Sequence, residues 1–130
     1  MSHDANCIFC KIIDGKIPSM KLVETEKSFA FVGALIIPKY HAAKMHELPD
    51  DSLADILPVA KKVAIATGAT EYNVLQNNGR LAHQVVDHVH FHVIPKPSQE
   101  QGLVVGWPST HPSKEELQQV YEKLLSQLPK

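Results

Sequence analysis

The stretch His88-Val-His-Phe-His-Val-Ile-Pro95 decides the reading of this chain. Strictly alternating positions of a β-strand point to opposite faces. His88, His90 and His92 therefore share one face, and Val89, Phe91 and Val93 share the other, where they can enter a core. Same-face neighbours stand roughly 7 Å apart, two strand rises. A row of three imidazoles at that spacing spans a phosphate-sized ligand. Neutral imidazole is a nucleophile or base, and protonated imidazole is a cation and an acid. Such a row can attack, hold and protonate without a distant residue. The bland alternative is a solvated polar face, which Lys, Glu or Thr would serve as well. An all-histidine metal site is the other alternative, but neighbours on one flat strand rarely converge on a single ion.

Composition agrees that histidine is the unusual feature. The 130 residues hold eight His against six Gly. This length predicts one domain, 1–130, which needs no disulfide staples to fold. Thirteen basic and fourteen acidic residues give a net charge of −1, which argues against a nucleic-acid partner bound by neutralising phosphates. No apolar run approaches the roughly 18 residues of a membrane span, and the polar start Met1–Asn6 lacks a signal-peptide layout. The expected location is cytoplasmic, or also nuclear. In such a reducing compartment Cys7 and Cys10 are free thiols or metal ligands.

Outward from the histidines, a longer strand is expected over Val85–Ile94, preceded by a strand at Tyr72–Gln76 and the turn Asn77-Asn78-Gly79. A short helix over Cys7–Ile13 belongs to an N-terminal C-x-x-C segment, 7–15, that ends at Gly15. Lys21–Glu24, Phe29–Val32 and Leu35–Ile37 read as extended. Gly33-Ala34 between the last two suits a two-residue type II′ hairpin. Asp50 or Asp51 can cap a helix over about 52–67, which contains Pro58 and shows one apolar face. Ser113 and Glu116 form a capping box that opens a C-terminal helix, about 113–128. Its expected core face is Leu117, Val120, Tyr121, Leu124, Leu125 and Leu128. The fold class is α+β: a mainly antiparallel sheet with a long helix packed on it and a C-terminal helix. His3, His46 and His111 read as surface residues, and Lys61-Lys62 as the solvated side of the long helix.

His88–Pro95 resembles the H-φ-H-φ-H-φ-φ signature of the histidine triad (HIT) nucleotide-binding proteins. Cys7-Ile-Phe-Cys10-Lys-Ile-Ile13, Ile17-Pro18-Ser19, Ile36-Ile-Pro-Lys-Tyr-His41, Asn77-Asn-Gly79, Gln84 and Gly106-Trp107-Pro108 stand where that family has them. The resemblance covers nearly the whole chain and is nearest to fungal members of the Hint branch, which hydrolyse adenosine 5′-phosphoramidates. It implies a HIT-like fold and a homodimer formed through the long helix and a sheet edge. It implies that His90 attacks the α-phosphorus of a purine nucleoside phosphoramidate to form a nucleotidyl-histidine, which water then hydrolyses. His92 would contact the α-phosphate, and His88 would help orient His90. The Asn77 amide and backbone N–H groups at Gln84 and Val85 would hold the nucleotide phosphate. Some relatives bind structural zinc through positions matching Cys7, Cys10, His41 and His88. No metal is required for the family's chemistry. From the residues themselves, two inert buried thiols remain an alternative for the Cys pair.

Three departures from the family pattern stand out. Val85 replaces a small hydroxyl residue. His83 stands where Gly is frequent, and a side chain there can crowd or contact the leaving group. Between Val32 and Leu35 the chain is shorter than relatives by roughly ten residues, which removes the acidic residue they place on the ribose and a histidine that supports the triad. The expected result is weaker nucleotide binding, or at the extreme a nucleotide-binding scaffold with impaired catalysis.

Overall fold

A computed structural model describes residues 2–129. In chain order the elements are α1 (Ile8–Ile13), β1 (Lys21–Glu24), β2 (Ser28–Phe31), β3 (Leu35–Pro38), α2 (Asp50–Thr67), β4 (Tyr72–Gln76), β5 (Phe91–Pro95) and α3 (Lys114–Gln127), with short 3-10 turns at Met45–Glu47 and Arg80–Ala82. The five strands form one antiparallel sheet in the order β1-β2-β3-β5-β4. The α+β class expected from the sequence is the one observed.

Period-two alternation sorts the side chains of the sheet. Ala30, Ile36, Val89, Phe91 and Val93 face α2 and pack with Ile56, Val59, Ala60, Val63 and Ala64. Phe29, Phe31 and Ile37 face the other way and pack with Phe9 and Ile12 of α1. The histidines follow the second set, which places the functional row on the α1 side. Gly68, at φ 73°, closes α2 in the left-handed conformation that a residue without Cβ adopts freely.

One polar pin ties α2 to the β1–β2 turn. Ser28 Oγ and Thr25 Oγ1 both donate to Asp55 Oδ2, at 2.5 and 2.6 Å. Ser28 is fully buried, so removing its acceptor leaves a hydroxyl with no water to turn to. We expect Asp55→Ala to cost about 1–3 kcal/mol, read as a lower denaturant midpoint. These hydrogen bonds hold the Asp55 carboxyl below its ordinary value of 3.8. A depressed carboxylate stabilises the fold above its unfolded pKa, and that contribution disappears as pH falls through the folded value. The gap between parent and variant should therefore narrow below pH 3.8.

Several expectations are corrected. The histidine strand spans Phe91–Pro95 rather than 85–94. Gln76 pairs with Phe91 as the last residue of β4, so nothing on that side continues the ladder for 85–90. On the other side β3 ends at Pro38, which has no N–H to donate. Residues 88–90 instead take single bonds, such as Val89 N–H to Ala42 O at 2.9 Å. The β2–β3 connection is a three-residue turn, Val32–Ala34, closed by the Phe31–Leu35 pair, with the positive φ at Ala34 (60°) rather than at Gly33. It is therefore not type II′. Pro49, not Asp50 or Asp51, is the N-cap of α2.

The C-terminal helix forms with the expected capping box, since Ser113 Oγ accepts from Glu116 N–H at 3.1 Å. Its apolar face does not enter the core. Leu117, Val120, Tyr121, Leu124, Leu125 and Leu128 are all at least half exposed. Helical periodicity shows that a face is apolar, not what covers it. No helix among the described residues is long and apolar enough to cross a membrane.

Candidate functional site

The histidine row is buried at one end and open at the other. His88 is fully buried, His90 is 6% exposed, and His92 is half-buried. Phe9 of α1 lies edge-on to His88 and His90, with ring centroids 5.8 and 5.1 Å away. His92 sits in the middle of the sheet, directly opposite Leu35 of β3 and Leu75 of β4. Its ring centroid is 5.0 Å from that of His90. Burial, followed by the neighbouring His90, lowers the pKa of His92, so this ring is neutral near pH 7.

Hydrogen bonding fixes the tautomer of the central histidine. His90 Nδ1 lies 2.7 Å from the carbonyl oxygen of His88. A carbonyl only accepts, so Nδ1 carries the proton and Nε2 carries a lone pair. Among the described residues Nε2 has no intrachain partner, yet no buried side-chain nitrogen or oxygen there lacks one. His90 Nε2 is therefore open to a ligand. It is a fixed nucleophilic nitrogen at the centre of the row.

The same logic holds at His88 with the opposite destination. His88 Nε2–H donates to Pro38 O at 2.8 Å, which turns Nδ1 toward the N-terminal segment. There Nδ1 meets Cys7 Sγ at 3.4 Å, Cys10 Sγ at 3.6 Å and His41 Nδ1 at 3.1 Å. Cys10 Sγ lies 3.5 Å from His41 Nδ1. A tetrahedral Zn²⁺ with two thiolates and two imidazoles separates its donors by about 3.3–3.8 Å. All four donors lie within 4.8 Å of one another. The set fits a small, soft-to-borderline cation. Burial pushes the pKa of His88 down to about 4 and that of the Cys10 thiol up to about 11. His88 is thus an unprotonated donor, and Cys10 would release its proton on binding a cation. Pro38 O is the kind of outer partner that orients metal-binding histidines.

The loop between β4 and β5 is organised by two side chains. Gln84 is buried, and its amide nitrogen donates to Ala43 O and Val86 O at 2.6 and 2.9 Å. Its amide oxygen accepts from Gly79 N–H at 2.7 Å, and its own backbone N–H donates to Gly79 O at 3.0 Å. Gln84 is therefore a brace for the loop and has no donor left for a ligand, contrary to the sequence expectation. The backbone N–H of Val85 has no intrachain acceptor among the described residues. Arg80, the chain's single arginine, donates to Gln84 O, Val85 O and the Asp87 carboxylate. Asn77 lines a cavity of about 440 Å³ with Leu75, His83, Leu103, Val104 and Trp107.

The structure brings His88, His90 and His92 together as expected, and likewise Cys7, Cys10, His41 and His88. His3, His46 and His111 are exposed. Sequence reading missed four contributors. The carbonyls of His88 and Pro38 leave no trace in residue identity. Phe9 looks like any core aromatic. The lone Arg80 was the one available signal.

Residues 14–99 match the model of the HIT domain. The chain belongs to the HIT family. Among relatives, adenosine 5′-monophosphoramidase hnt1 of Schizosaccharomyces pombe is 59% identical over 131 residues, covering 95% of this chain and 98% of the relative. Adenosine 5′-monophosphoramidase HNT1 of Saccharomyces cerevisiae is 53% identical over 133 residues, covering 96% and 84%. The crystal structure of a histidine triad nucleotide-binding protein from Candida albicans superposes with a TM-score of 0.87 at 52% identity, covering 93% of this chain and 96% of that one. The HIT fold is thus matched along nearly the whole chain.

Proposed function

We propose that this HIT protein hydrolyses purine nucleoside 5′-phosphoramidates, releasing a nucleoside monophosphate and an amine. The observation that carries the reading is the His90 tautomer: Nδ1–H is held by His88 O, and Nε2 is left free in the middle of the row. High identity to proteins named adenosine 5′-monophosphoramidase supports the substrate class.

Nε2 of His90 attacks the α-phosphorus. The P–N bond to the amine breaks, and the amine leaves after taking up a proton. Water then attacks the nucleotidyl-histidine and restores His90. The covalent route divides one hard displacement into two easier ones. Neutral His92, the Asn77 amide and the Val85 N–H supply fixed donors for the phosphate oxygens. Cys7, Cys10, His41 and His88 would hold a zinc ion, which supplies a structural cross-link and no catalytic step. Thiolate ligands suit a reducing compartment, cytoplasmic or nuclear. A second copy of the chain would cover apolar side chains left exposed on α2 and edge strand β4, including Leu57, Ile65, Tyr72 and Val74.

The short Val32–Ala34 turn leaves no acidic side chain for the ribose. Two missing hydrogen bonds of about 1 kcal/mol each correspond to roughly 30-fold in affinity. Steady-state hydrolysis of adenosine 5′-phosphoramidate tests both parts. We expect AMP release, and a KM lowered by more than about tenfold when a ten-residue acidic loop is inserted at Gly33. No AMP from either protein would refute the assignment.

A further inference from the structure

His83 occupies a backbone conformation that a side chain pays to enter. Its φ of 71° and ψ of 19° lie in the left-handed region, where glycine is free and other residues are strained. Strain of this kind persists where the surrounding structure or a ligand uses it. No intrachain hydrogen bond holds the His83 imidazole among the described residues, and the residue is exposed. It lines the 440 Å³ cavity with Asn77, Leu75, Leu103, Val104 and Trp107.

That cavity adjoins the reacting row. Leu75 is the direct cross-strand partner of His92, and such partners project from the same face of the sheet. His92 in turn lies beside His90. A group expelled from phosphorus at His90 thus has an apolar chamber within reach, far larger than ammonia needs. Leu75, Leu103, Val104 and the Trp107 indole offer it apolar packing, and beside the Asn77 amide, which faces the phosphate in this reading, the His83 imidazole is a polar group with no intrachain partner among the described residues.

We propose that His83 is a specificity-determining residue for the leaving amine. It selects amines that carry a hydrogen-bond acceptor, such as a carboxylate, on an apolar body. This rests on the phosphoramidase reading and adds to it the class of leaving group. A neutral imidazole always keeps one N–H to donate. The acceptor takes that bond while the body packs against Leu75 and Trp107.

Two adenosine phosphoramidates test this, one of phenylalanine joined through its α-amine and one of 2-phenylethylamine, which differ only in the carboxylate. The readout is the ratio of their kcat/KM values. Both members of the ratio share one enzyme sample, so a partly unfolded variant does not distort it. His83→Gly should lower the ratio about tenfold, the loss of one hydrogen bond to a charged group. His83→Gln, which keeps an N–H donor, should retain part of the preference. His83→Gly should also raise the thermal midpoint, because the strain is relieved. An unchanged ratio in both variants, with turnover of unsubstituted adenosine phosphoramidate intact, overturns the role of His83 and leaves the phosphoramidase reading standing. Absence of turnover of the unsubstituted compound by the parent chain overturns both.

Discussion

His90→Ala should abolish hydrolysis of adenosine 5′-phosphoramidate, with kcat falling by about 10⁴-fold or more. Folding and nucleotide binding should change far less. The size of the effect follows from the covalent route. Without Nε2 no nucleotidyl-enzyme forms, and the remaining donors can only position water against an amine-bearing phosphorus. His90 is 6% exposed, so truncation leaves a small cavity costing about 2 kcal/mol. Thermal unfolding beside a stopped assay for AMP separates the two effects. A variant that keeps its melting temperature within a few degrees and still releases AMP at a tenth of the parent rate would remove His90 from the mechanism.

The second large effect concerns the thiol–imidazole cluster. Cys10→Ser should abolish tight zinc binding and lower stability by about 4 kcal/mol when the parent is held at a zinc concentration a thousandfold above its Kd. Serine is a poor zinc ligand at neutral pH, because its hydroxyl does not ionise as a thiol does. Its small volume change in the fully buried Cys10 position costs little by comparison. Zinc content by atomic absorption and unfolding with and without a chelator read this directly. The chelator should destabilise the parent and leave Cys10→Ser unmoved. Equal chelator sensitivity in both proteins would exclude Cys10 as a ligand.

The cluster and the triad share one residue. His88 offers Nδ1 to the cluster and its backbone carbonyl to His90. That double use explains which parts of the site were legible in the sequence. Alternation along His88–Val93 separates histidines from core residues because side-chain direction depends only on local backbone geometry. It held even where the ladder did not, since residues 88–90 remain extended without regular strand pairing. The four-residue cluster followed from family resemblance and C-x-x-C spacing, because ligands are side chains and leave their identity in the sequence.

What failed depended on partners rather than residue types. The backbone N–H of Gln84 was expected to hold the nucleotide phosphate, but it donates to Gly79 O within the loop. Residue identity carries no mark of whether a backbone N–H meets a ligand or its own loop. The strand was drawn too long because β4 stops at Gln76 and β3 at a proline, facts about neighbours that lie outside the strand itself. The α3 face reads as core by its period, yet α3 stands away from the sheet with that face exposed. The His88 and Pro38 carbonyls, which fix two tautomers, belong to the backbone and have no residue signature at all.

The most direct test of the central claim is to trap the intermediate. The chain is mixed with adenosine 5′-phosphoramidate, quenched within one turnover and mapped by peptide mass spectrometry under conditions that preserve phosphoramidate bonds. The account predicts one adenylyl group on the peptide containing the triad, located on His90 and lost in His90→Ala. An adenylyl group on His88 or His92 instead, or AMP release at the full rate with no adduct on any histidine, would contradict it.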